Sequence, residues 1–420
     1  MKVLFERASR LAAAAMVLAL MVGCGQAGLP RFQYADAVPE RLSAWGVLAV
    51  DRGIIQAPAD AMAYTLASPL FSDQALKFRT LHLPEGGQVK VTESGRFDYP
   101  VGTVISKTFF YVKADNQAAG PSFLSVSHLE TDFPDDLRGQ SIQDLALIET
   151  RLLVRRAAGW QALPYRWLPD QQDAVLMPAG DLFVAGMVSR EAERNGGEKT
   201  SFAYQVPNQN QCAGCHVLNQ STKALEPIGP HQKHLASAGS GRQLEAWEQR
   251  GWLTKTDLRA DLPWQQVDYK DESASLEARA RSYLDINCGH CHSPTGPADT
   301  SGLYLNGETV DRVRLGWCKA PIAAGQGTGG RQFGIVPGHP EDSILVYRMQ
   351  SEDPGAMMPE LGRSLLHDEG IQLVADWVAA MPDTGCYEAN PSPRESMMHE
   401  VASLTSLSVH SQARHQHLGQ

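Results

Sequence analysis

Long apolar runs are missing from this chain. Its one uninterrupted stretch, Leu11 to Val22, falls short of the roughly 20 residues that a helix needs to cross a bilayer, and no later segment is apolar enough to span. A basic excess is missing as well: 37 Lys and Arg stand against 47 Asp and Glu, a net charge of −10. That balance argues against nucleic acid, whose phosphates draw cationic surfaces, and favours basic partners. Hydrophobic residues at 43% and charged residues at 20% exclude a disordered or fibrous chain. The length of 420 residues allows two or three domains. Cysteine is scarce, seven in all, and its placement is the most informative feature.

Four of the seven lie in two pentapeptides, Cys212-Ala-Gly-Cys215-His216 and Cys288-Gly-His-Cys291-His292. The spacing suits covalent haem attachment: two thiols add across the haem vinyl groups and the histidine imidazole binds iron. Two independent matches among so few cysteines lie far outside chance. The expected cofactors are therefore two covalently bound haem c groups, held by Cys212, Cys215 and His216 and by Cys288, Cys291 and His292. Two rivals fail on local physics. A dithiol oxidoreductase needs a helix starting at the first cysteine, but Ser293-Pro294-Thr295-Gly296-Pro297 cannot continue a helix. A zinc ribbon needs its cysteine pairs far closer together in sequence.

Lys2, Arg7 and Arg10 precede the short apolar run, in the proportions of a signal peptide at 1–23. The run ends Leu20-Met21-Val22-Gly23-Cys24, which resembles a bacterial lipobox, with Met21 where Leu is usual. That resemblance implies lipidation at Cys24, a linker at 24–44 and a membrane-anchored periplasmic location. Gly25 and Gln26, with no Asp after the cysteine, resemble outer-membrane sorting. Two cysteines remain, Cys318 and Cys386. In an oxidising compartment this even remainder suggests a disulfide.

Residues 45–198 read as a β-rich domain, a sandwich or small barrel, from short alternating runs such as Thr103–Tyr111 and Ile148–Val154 separated by Gly, Pro and Asp turns. Its Lys and Glu residues are expected on solvated strand faces. The polar stretch Glu191–Thr200 reads as a linker. The first haem segment spans 199–270, and a mainly α-helical, cytochrome c-like second haem domain spans 271–390. There the pattern predicts helices over Ser273–Ile286, with Ser273 as cap, and over Glu369–Met381. Residues 391–420 lack periodicity and read as a disordered tail. The fold class is multidomain α+β.

Each haem iron has a sixth position to fill or leave open. For the second haem the sequence favours Met358, directly before Pro359, over Met357 and Met349; thioether ligation raises the potential. For the first haem no methionine lies between His216 and Cys288. His231, His234, Met177, Met187 and an open iron all remain available. Bis-histidine ligation would give this haem the lower potential, and an open iron would admit peroxide or another small ligand.

The chain resembles bacterial exported dihaem c-type cytochromes with a β-rich N-terminal region. The likeness runs over about residues 40–390. It is carried by Tyr99-Pro100-Val101-Gly102-Thr103-Val104, Glu149-Thr150-Arg151-Leu152-Leu153 with Gly159-Trp160, Pro227-Ile228-Gly229-Pro230, Pro337-Gly338-His339-Pro340 and Met358-Pro359-Glu360-Leu361-Gly362-Arg363, together with the haem motifs. His231 and His234 depart from it, standing where Lys, Arg and Asn are expected. The resemblance implies electron transfer with redox partner proteins in the cell envelope, without a catalytic residue. Two other classes stay open: a haem enzyme, a dihaem peroxidase or dehydrogenase with an open first haem, and a β-domain partner-binding module wired by the haems.

Overall fold

The computed structural model describes residues 30–114, 120–125, 136–195, 197–235, 241–322, 324–383 and 385–386. The expected signal segment 1–23, the lipidation site Cys24 and the tail 391–420 lie outside the described residues. Strands concentrate in the N-terminal half and helices in the C-terminal half, a two-part α+β architecture. Among the described residues no helix is long and apolar enough to cross a membrane.

Six strands form an antiparallel meander: β1 (Met62–Ala63), β2 (Leu76–His82), β3 (Val104–Val112), β4 (Leu145–Arg156), β5 (Gly159–Trp167) and β6 (Ala174–Leu176), each paired with the next of the six. Alternate residues of a strand point to opposite faces. On β3, Val104, Phe110 and Val112 pack with Leu42, Trp45 and Tyr165 in one core. Ile105, Phe109 and Tyr111, with Lys107 among them, face two other cores that draw in Trp247 and Leu365 from the second half of the chain. A smaller sheet pairs Asp181–Val188 antiparallel with Thr200–Val206 and parallel with Ser122–Leu124. The stretch Glu191–Thr200, expected to link two domains, therefore joins neighbouring strands of one sheet. Its polarity is that of a solvated connection, with a helical turn at Arg190–Asn195.

His82 closes β2 inside the protein. Its Nε2 lies 2.9 Å from the Thr80 hydroxyl and its ring stacks on Phe32. Burial pushes its pKa down to about 3, whereas an unfolded histidine titrates near 6.5. As pH falls below about 6.5 the unfolded chain binds the proton first, so the stability held by neutral His82 is present above that pH and is lost progressively toward pH 3. His82→Phe is expected to flatten the fall in urea midpoint between pH 7 and pH 4. An unchanged slope would remove His82 as a titrating contributor.

The helical half is built on α2 (Leu276–Leu284), α3 (Ile344–Gln350) and α4 (Asp368–Ala379), following the earlier α1 (Gln209–His216). Ser275, not Ser273, caps α2: its hydroxyl accepts from the Ala278 N–H at 3.2 Å, while the Ser273 hydroxyl donates to Asp271. The apolar faces of α2 and α4 meet through Tyr283, Leu284, Val374, Trp377 and Val378. Gly370 permits that crossing, since a Cβ there would lie 2.2 Å from the Tyr283 ring. Past Leu284 the helix widens into a π turn, Asp285–Gly289, a local form that recurs at functional sites.

The two halves are locked by polar contacts that span the sequence. The Asp73 carboxylate accepts from the Ser364 and Leu365 N–H groups at 2.6 and 2.7 Å. The Asn287 side chain accepts from the Phe71 N–H at 2.8 Å. The Ser68 hydroxyl donates to the Val267 carbonyl at 2.8 Å. These bonds hold one face of the meander against the π turn, and the space between them is the site.

Candidate functional site

A cavity of about 920 Å³ lies between the meander and the helical half, and both pentapeptides line it. Cys212, Cys215 and His216 end α1, whose start is set by a capping box between Asn208 and Gln211. Cys288, Cys291 and His292 follow the π turn. Gly289 is required there, because a Cβ would lie 2.9 Å from the Asn306 backbone. The two motifs, far apart in sequence, touch in space. Cys291 Sγ lies 3.9 Å from the Gly214 carbonyl. The Thr295 hydroxyl donates to the Leu218 carbonyl at 3.0 Å, and the Gln220 N–H donates to the Thr295 carbonyl at 2.9 Å.

The two motif histidines share one arrangement. His216 Nδ1 faces the Glu226 carbonyl at 2.8 Å, and His292 Nδ1 faces the Leu303 carbonyl at 3.3 Å. A carbonyl at Nδ1 fixes the proton there and leaves Nε2 as the lone-pair nitrogen, the usual support of a metal-binding imidazole. Burial pushes His216 down to about 3, against the opposing Glu226 carbonyl, and lowers His292 as well. Burial thus favours the neutral imidazole at both rings, the form that binds a metal.

Cys212, Cys215, Cys288 and Cys291 are free thiols. Burial first, and then the neighbouring cysteines, push Cys288 and Cys291 up to about 12. Burial also raises Cys212 and Cys215, with Arg151 opposing. Disulfide-exchange catalysis needs the opposite shift. Nor do these donors close on a single ion. Among the described residues, the one group whose metal-binding atoms converge within 4.8 Å is His339, Glu341 and Asp342 at the surface. The thiols and imidazoles are instead spread around a mainly apolar cavity.

The opposite wall comes from the meander. Strand register places Arg79, Lys107 and Arg151 on one rung of β2, β3 and β4, and all three line the cavity. Burial, followed by the charges of Arg151 and Arg79, lowers Lys107 to about 7. Glu149, two residues before Arg151 on the same strand face, is fully buried. It accepts from Arg151 Nε at 2.8 Å and from the Tyr204 hydroxyl at 2.7 Å. The expectation that the Lys and Glu of this region sit on solvated faces thus fails at Lys107 and Glu149. Alternation in a strand separates two faces, but it does not say that the polar one is roofed by another part of the chain.

The remaining sequence candidates divide. Met358 and Met349 line the cavity and Met357 does not. His231 and His234 are buried but do not line it; the His231 N–H donates to His234 Nδ1 at 3.1 Å and their rings lie 5.2 Å apart. Met187 is buried in the core around Tyr111 and Phe202, and neither it nor Met177 reaches the cavity. Cys318 and Cys386 form a disulfide, with Cα atoms 5.0 Å apart. Two lining residues were not legible as site residues. Lys107 reads as one polar position in a strand, and His290 reads as a spacer inside Cys-x-x-Cys-His.

Compared with known proteins, the chain matches no family model, no curated protein and no solved structure.

Proposed function

We propose that this chain is a dihaem c-type cytochrome that transfers electrons in the bacterial cell envelope. One observation carries the reading: two Cys-x-x-Cys-His segments bring four free thiols and two carbonyl-anchored imidazoles to the same cavity. In attachment each thiol adds across one vinyl group, sulfur to one carbon and its hydrogen to the other, so no oxidant is consumed. Once bound, haem supplies reversible one-electron exchange at its iron.

The chain's own residues do the rest. His216 and His292 offer Nε2 as proximal ligands, and Met358 offers a thioether to the second site. The rung of Arg79, Lys107 and Arg151 supplies positive charge against which haem propionates are stabilised. The order α2, attachment motif, Met358, α4 is that of a cytochrome c-like domain, and the β region serves as a sandwich- or barrel-like cover for the first site. Lipidation at Cys24 would place the protein in the periplasm at the outer membrane, where an acidic surface meets basic redox partners.

The test is export of the full chain in a bacterium that carries covalent haem-attachment machinery. Denaturing gels stained for haem peroxidase activity, with intact mass, are expected to show two haems retained per chain. A denatured chain that keeps no haem would reject the proposal.

A further inference from the structure

The second attachment motif has two faces. The Cys288 carbonyl accepts from the Cys291 and His292 N–H groups at 3.1 and 2.8 Å, closing one helical turn in which Cys288 and His292 stand one above the other and His290, midway between them, falls nearly opposite. His290 is therefore turned away from the side its own motif presents, and it lines the cavity that both motifs share. Asn287, three residues before it, holds the Phe71 N–H of the segment leading into β2. His290 also lies within electrostatic range of His216 and of Lys107 on the meander wall.

Unlike those of the two motif histidines, its Nδ1 is buried near the Ile286 carbonyl without a hydrogen bond of normal geometry. No described hydrogen bond takes Nε2. The ligands expected for the first site from sequence do not reach the cavity: His231, His234, Met177 and Met187 all lie elsewhere. Lys107 does line it, but its rung sets it between the guanidinium groups of Arg79 and Arg151.

Building on the dihaem reading, we infer that His290, a spacer residue of the second attachment motif, is the sixth ligand of the first haem, opposite His216. The second haem's attachment turn then also clamps the first haem. The two groups become mechanically and electronically joined through one short turn, Cys288–His292. Bis-histidine ligation also sets the first haem at a lower potential than a histidine–methionine second haem.

The experiment uses the full chain with both haems attached, and compares wild type with His290→Ala, His290→Met and Lys107→Ala. Haem content is read from stained denaturing gels and intact mass, spin state from electron paramagnetic resonance of the oxidised protein, and open iron from carbon monoxide binding to the reduced protein. Wild type is expected to be wholly low-spin and not to bind carbon monoxide. His290→Ala should keep two haems, turn one high-spin and bind one carbon monoxide per chain, with added imidazole restoring the low-spin signal. His290→Met should stay low-spin and raise the potential of one haem. Lys107→Ala should stay low-spin.

Low-spin iron in His290→Ala, an open iron already present in wild type, or a high-spin haem in Lys107→Ala would each overturn the assignment. A wild-type chain carrying no covalent haem instead fails the dihaem reading, and the ligand assignment with it. The haem stain tells the two failures apart.

Discussion

Met358→His is expected to lower the midpoint potential of one haem by about 100 mV or more, within the roughly 0.8 V range that axial ligand sets can span, while leaving the other haem unchanged. A thioether sulfur stabilises the reduced iron, and imidazole is a stronger donor to the oxidised state. The position is held by both sides of its loop. The Met358 N–H donates to the Arg348 carbonyl at 2.9 Å, and Arg363 Nε donates to the Met358 carbonyl at 3.2 Å. Arg363 also reaches the Ser351 carbonyl at 2.8 Å, so the loop is tied to the end of α3 at several points. Met357→Ala should leave both potentials in place, since Met357 does not line the cavity. Met349→Leu should do the same: Met349 lines the cavity but is buried within α3, packed in the helical core, and leucine keeps most of that packing. Redox titration followed optically distinguishes these outcomes. A shift in Met349→Leu and none in Met358→His would move the ligand to Met349.

Glu149→Ala is expected to destabilise the β-rich half by about 3–5 kcal/mol, the usual cost of leaving one partner of a buried ion pair alone. Glu149 is fully buried, and its carboxylate balances Arg151 on a face that also carries Lys107 and Arg79. Alanine would take the carboxylate from Arg151 and remove the acceptor of the buried Tyr204 hydroxyl. Glu149→Gln keeps an acceptor for Arg151 or Tyr204 and should cost less. Urea unfolding of the apo chain, followed by tryptophan fluorescence, would measure both. A midpoint for Glu149→Ala equal to that of wild type would mean that the cavity side of the rung is already compensated by water. If the cationic rung serves propionates, covalent haem should also recover part of the loss in Glu149→Gln, because carboxylates would then face Lys107 and Arg79.

What was legible in the sequence was local. The attachment pentapeptides are recognisable alone because five consecutive residues carry the whole chemistry. Strand and helix periodicity reported the two-part α+β division, because side-chain alternation is a property of one segment at a time. The errors came where a segment meets another. Ser273 looked like the cap, but the first turn begins at Leu276 and only Ser275 stands three residues before the Ala278 N–H. Glu191–Thr200 looked like a domain linker because polarity marks solvent, not what the flanking strands pair with.

By itself the sequence determined that four thiols and two imidazoles come in two Cys-x-x-Cys-His pentapeptides, and that no methionine lies between His216 and Cys288. Only the tertiary structure decided that the two motifs share one cavity, that Met358 and not Met357 faces it, and that Lys107 and Glu149 are interior. It likewise decided that His231 and His234 are buried outside that cavity. The reason is range. Covalent attachment depends on neighbours along the chain, whereas these other properties depend on strand register, on the hand of one turn at Cys288–His292, and on the bonds from Asp73 and Asn287 that close one half of the molecule over the other.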